Sequence, residues 1–144
     1  MSLSAIFVQL LNGLAAASSL FLVAAGLSLI FGVTRIVNFA HGSLYMLGTY
    51  SAYSLVKTFG GGMLGFWGGV LCAGLAVGVF GALVERLLLR RLYRAPELLQ
   101  LLATFALVLI IRDFALWAWG PEDLLGPRAP GLGGVVTVAG RQVP

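Results

Sequence analysis

The stretch VNFAHGSLYMLGTYSAY, residues 37–53, gathers side chains that exchange hydrogen bonds: Asn38, His41, Ser43, Thr49, Tyr50 and Ser51, with Ser54 just beyond. The chain holds one histidine and one cysteine and has no HExxH spacing, so convergent metal ligands or a nucleophile with its base are not expected. The chemistry open to these residues is recognition of a small polar molecule. Ser43 is placed to cap a helix beginning there, and Ser43, Tyr50 and Ser54 fall within a narrow arc of that helix's wheel. Free N–H groups at the start of such a half-helix carry partial positive charge and can receive a carboxylate. The same spacing is also met if Asn38 and His41 only satisfy a broken backbone.

The elements that must position this segment are membrane helices. Hydrophobic residues make up 60% of the chain, charged residues 10%, and the mean hydropathy is +1.01, too little polar surface to coat a soluble globule. No charge occurs before Arg35 or between residues 58 and 84, and both stretches exceed the roughly 20 apolar residues a span needs. The first is too long, and lacks the early basic residues, for a cleavable signal peptide. The expected fold is all-α and polytopic, with helices over about 6–32, 43–56, 62–84 and 97–119.

The second of these is expected to be broken. Between Arg35 and Lys57 lie 21 residues interrupted by Gly42, which leaves Ser43–Val56, about 21 Å of helix. Irregular backbone at membrane depth is tolerated only where protein buries it or a watery cavity lies beside it. The break at 37–42 is therefore expected to lie on a substrate pathway formed with Asn38, His41, Gly42, Ser43, Tyr50 and Ser54. No metal or cofactor is expected there.

Small residues recur every fourth position at Ala24, Ser28 and Gly32, and again at Gly74, Gly78 and Ala82, a spacing that lets helices approach closely in lipid. The segment ERLLLRRLYRAPE, residues 85–97, reads as a short loop in which Glu85, Arg86, Arg90, Arg91 and Arg94 mark the cytoplasmic side. Its arginines suit lipid headgroups and orientation rather than nucleic acid. Trp67, Trp117 and Trp119 then fall near the outer interface, and the N-terminus is expected outside. Arg112 and Asp113 project about 100° apart on the fourth helix, so they do not pair with each other, and Arg112 is close enough to the outer surface to snorkel. Cys72 stands alone, which excludes a disulfide within the chain. Residues 121–144, rich in proline and glycine, read as an external loop with no closing element, as if the chain stopped short of a longer protein.

GLSLIFGVTRIVNFAHGSLYMLGTYSAY (26–53), ER (85–86) and LLATFALVLIIRDFALWAWG (101–120) together resemble the N-terminal half of bacterial ABC-transporter permease subunits for branched-chain amino acids, over about residues 9–128. The VNFAHG block carries most of the specificity. The resemblance implies a permease in the bacterial inner membrane that pairs with a second, homologous permease, two cytoplasmic ATPase subunits and an external substrate-binding protein. Urea and short-amide permeases of the same family are the alternative substrates. A small channel or membrane scaffold is the alternative of another class. The absence of a G-x-x-x-x-G-K-[ST] loop leaves energy to a partner.

Overall fold

The computed structural model describes residues 3–35, 37–60, 62–122, 124–126, 129–131, 136–138 and 141–143. It is an all-α polytopic membrane protein in which α1 (Leu3–Thr34), α2 (Ala40–Phe59), α3 (Met63–Val84), α4 (Arg90–Leu92) and α5 (Glu97–Trp119) follow one another. Among the described residues, three helical stretches are long and apolar enough to cross a membrane: Ala5–Thr34, Met63–Leu92 and Glu97–Trp119. α2 is more polar, but its 20 residues rise about 30 Å, enough to match a hydrocarbon core.

Several hydroxyls inside the helices are satisfied by the main chain of the helix that carries them. Ser18 donates to Ala15 O at 2.7 Å, Ser28 to Ala24 O at 2.9 Å and Thr58 to Ser54 O at 2.8 Å, so none brings an unpaired donor into lipid.

α2 is the centre of the bundle. It packs antiparallel on α3, with Val56 against Gly69 and Leu44 near Gly81, and runs parallel to α5, where Ala40 and Leu47 meet Leu107 and Ile111. α5 supplies its face at helical spacing through Thr104, Leu107, Ile111 and Ala115. A Cβ on Gly69 would lie 2.7 Å from Val56 Cγ2, and one on Gly65 would collide with the Gly60 carbonyl. Ala73, next in that series, is also buried. The close approach of α2 and α3 therefore uses Gly65, Gly69 and Ala73. Gly74 and Gly78 have nothing within 4 Å of an added Cβ, and Ala82 is exposed. The expected seam is thus one residue, about 100° of helix, away from the seam that packs within this chain.

The basic segment is also more regular than a loop. α3 passes into a π-helical turn, Glu85–Leu89, in which the Arg90 N–H reaches Glu85 O as well as Leu88 O, and α4 completes a continuous rod to Leu92. Apolar Leu87, Leu88 and Leu89 favour helix over loop in this stretch, and only residues 93–96 link it to α5. Within 121–144, Val136–Val138 and Arg141–Val143 pair antiparallel, Val136 opposite Val143. Much of the expected external segment, including Arg128, lies outside the described residues.

Candidate functional site

α1 ends at Arg35, whose φ of 56° places a non-glycine residue in the left-handed region while its N–H reaches Phe31 O at 2.8 Å. Helices commonly stop this way, though usually with glycine, because a Cβ is crowded there. Asn38, three residues on, is 6% exposed. Its Oδ1 accepts the Ala40 N–H at 3.0 Å and its main-chain carbonyl accepts the His41 N–H at 3.1 Å. Asn38 thereby performs the capping role, side-chain oxygen to an early helical N–H.

That cap corrects the expected half-helix. α1 stops at Thr34 and α2 starts at Ala40, so His41, Gly42 and Ser43 belong to the first turn of α2. Ser43 is half-buried inside the helix and caps nothing. Asn38 caps as well as serine does and lies upstream of it, and a glycine in the first turn costs only about 1 kcal/mol relative to alanine. The helix accordingly starts early.

The six expected pathway residues do not converge. His41 faces α1: a Cβ on Gly26 would lie 2.9 Å from His41 Nε2, so the absent side chain of Gly26 makes room for the imidazole. The ring lines a mostly apolar groove of about 400 Å³ with Val23, Gly26, Tyr45, Val77 and Gly78. Tyr50 lies nine residues later, about 13 Å up the helix and on the opposite side of its wheel. Tyr50 stacks on Trp119 with ring centroids 5.4 Å apart, and the Trp119 Nε1–H donates to Ser54 Oγ at 2.6 Å. Tyr50 also borders a polar cavity of about 320 Å³ with Met46, Thr49, Tyr53, Leu124 and Gly126. One end of α2 thus presents Asn38, His41 and Gly42, and its other half presents Tyr50 and Ser54 with the α5 terminus.

Trp119 is the residue that sequence reasoning placed only at an interface. It is half-buried and touches Phe114 edge-on, whereas Trp117 is 83% exposed. The signal was present: Ile111, Ala115 and Trp119 continue the fourfold spacing of the α5 buried face.

At the basic end, Arg86, Arg90, Arg91 and Arg94 are exposed, and the Tyr93 hydroxyl donates to the Glu85 carboxylate. Burial, and then that hydrogen bond, push the Tyr93 phenol up to about 12, so it stays protonated at physiological pH.

The family model for the branched-chain amino acid transport system permease component matches residues 9–128. The high-affinity branched-chain amino acid transport system permease protein LivH of Escherichia coli is 27% identical over 128 residues, covering 83% of this chain and 40% of that protein. LivH of Salmonella typhimurium is 25% identical over 126 residues with the same coverage. The corresponding permease protein BraD of Pseudomonas aeruginosa is 28% identical over 110 residues, 73% of this chain and 36% of that protein. The chain therefore spans about 40% of the length of these relatives. No solved structure matches it.

Proposed function

The chain belongs to the family of branched-chain amino acid transport system permease components, and we propose that it forms part of the translocation pathway of an ABC importer for branched-chain amino acids. Separate ATPase subunits would supply the energy, a second homologous permease would complete the membrane unit and an external binding protein would deliver the substrate. The observation that carries this reading is the match to the family across residues 9–128, which includes both the Asn38 break and the Trp119 hub. The geometry supports it physically. A break capped by the buried Asn38 leads into a helix whose faces carry polar groups at two depths, and polar groups of that kind in a membrane belong beside a cavity or a partner rather than lipid.

On this reading Asn38, His41, Gly42 and Ser43 lie along one half of the route and Tyr50 and Ser54 along the other. The cavity beside Tyr50, Thr49 and Tyr53 offers hydroxyls to a polar group, and the grooves beside Leu47 and Leu44 offer apolar walls to a branched side chain. The basic end faces the cytoplasm, where positive charge is retained.

Uptake of labelled leucine, isoleucine and valine by cells carrying the gene with its neighbours tests the proposal. Uptake should vanish when the cognate ATPase gene is deleted. Transport that persists without the ATPase would refute the importer reading and favour a channel, and uptake of urea or acetamide instead would reassign the substrate.

A further inference from the structure

The largest charged cavity in the described bundle has no part in the route just outlined. It measures about 640 Å³ and lies at the basic end, between the close of α1 and the opening of α5, lined by Phe31, Arg35, Val37, Glu97, Gln100 and Leu101. Arg35 and Glu97 are both exposed, and neither has an ion-pair partner among the described residues. Two opposite charges border one space without meeting each other.

The backbone fixes where each of these side chains leaves the chain. Arg35 occupies the left-handed helix-stop position, where glycine would be less crowded, and its N–H is tied to Phe31 O. Glu97 opens α5 immediately after Pro96, where the helix N-terminus favours an anion. The Gln100 amide nitrogen donates to Leu92 O at 3.1 Å and Ala95 O at 2.9 Å, which anchors the α4–α5 turn beside Glu97 and leaves the Gln100 oxygen as an acceptor. Phe31, Val37 and Leu101 make the remaining walls apolar.

A molecule matching these walls carries an anion, a cation with N–H donors and aliphatic carbon close together. At the end of a membrane-spanning bundle that description fits a lipid headgroup. We propose that this cavity is a site for a glycerophospholipid whose headgroup bears both a phosphate and a primary ammonium, the phosphate held by Arg35 and the ammonium by Glu97. Arg binds phosphate through its planar fork of donors, and the ammonium gives the carboxylate charge-assisted hydrogen bonds that a quaternary amine lacks. A free amino acid is a zwitterion of the same chemistry, so the experiment separates the two sources.

The protein, purified in nonionic detergent, is offered equal amounts of phosphatidylethanolamine, phosphatidylcholine and phosphatidylglycerol with matched acyl chains, and retained lipid is counted by native mass spectrometry. Phosphatidylethanolamine should be retained about tenfold over phosphatidylcholine. Glu97→Gln should erase that preference, Arg35→Gln should weaken retention of both, and Arg86→Gln, outside the cavity, should leave the ratio unchanged. Equal retention of the two zwitterionic lipids by the unsubstituted protein would overturn the proposal, as would preference for phosphatidylglycerol. Displacement of the lipid by free leucine would also overturn it and give the cavity to a soluble amino acid. These outcomes are independent of whether the protein transports leucine.

Discussion

Truncating Asn38 to alanine should remove the α2 cap and leave the Ala40 N–H without its acceptor, at a cost of about 1 kcal/mol. Ser43→Ala deletes a hydroxyl that caps nothing and should change stability far less. Thermal unfolding of both variants in detergent compares them directly, and a larger effect at Ser43 would return the helix start to residue 43. At the other end of α2, Ser54→Ala and Trp119→Phe each abolish one hydrogen bond, for which about 0.6 kcal/mol is typical between membrane helices. Because they remove the same bond, the double variant should cost much less than the sum. Additive losses in that cycle would show that the indole is held by its ring contacts with Tyr50 and Phe114 rather than by the hydrogen bond. Tyr93 makes the pH prediction: its raised value means that its contribution to stability is complete below the ordinary phenol range and is lost as pH rises toward about 12. In an ultraviolet titration, the difference between the unsubstituted protein and Tyr93→Phe should show the Tyr93 phenol still protonated at about pH 11, and Glu85→Gln should bring its ionisation down. A Tyr93 transition in the ordinary phenol range, unmoved by that substitution, would exclude the contact.

Among elements, α3 carries two small-residue series with different prospects. Gly69→Leu would drive a side chain into Val56, so α2 and α3 should separate and the isolated chain should lose cooperative unfolding. Gly78→Leu meets open space within the chain, and should leave that unfolding intact while lowering the yield of complex with partner subunits. If the two variants behave alike, the second series has no partner to exclude. Much of this element structure was legible beforehand, for a definite reason. Uncharged runs of more than twenty residues have no stable alternative to helix in lipid, and so α1 and α3 were set by composition, while α5 was set by an apolar run that only Arg112 and Asp113 interrupt. What could not be read was rotation. Gly65, Gly69 and Ala73 and the series one residue further along are equivalent as spacings, and only the position of Val56 on the facing helix distinguishes them. The start of α2 was obscured for a related reason: Asn38 and Ser43 are both good caps, and which acts depends on burial. In the expected pathway set, the wheel projection joined Ser43 with Tyr50 and Ser54, which depth along α2 keeps apart.

At the scale of the whole molecule, five arginines, Arg35, Arg86, Arg90, Arg91 and Arg94, gather at one end of the bundle, against Lys57 and Arg112 toward the other. Retention of that end in the cytoplasm predicts that a cysteine replacing Arg91, in a Cys72→Ala background, escapes an impermeant thiol reagent in intact cells, whereas one replacing Glu122 is labelled. The reverse pattern would invert the topology. The π turn at Glu85–Leu89 gives this end a further property. The 22 residues of α3 rise about 33 Å and cross the hydrocarbon by themselves, so the turn falls at the headgroup boundary. It inserts one residue into the helical repeat and so acts as a phase shifter between an intramembrane rod and its basic extension. Relative to an unbroken α-helix of the same sequence, the wider turn rotates Arg90 and Arg91 by nearly one residue's step, about 100°, and deleting Leu88 would leave both that bearing and the intramembrane contacts of α3 in place. The compass bearing of the basic charges is thus encoded separately from the span that carries them.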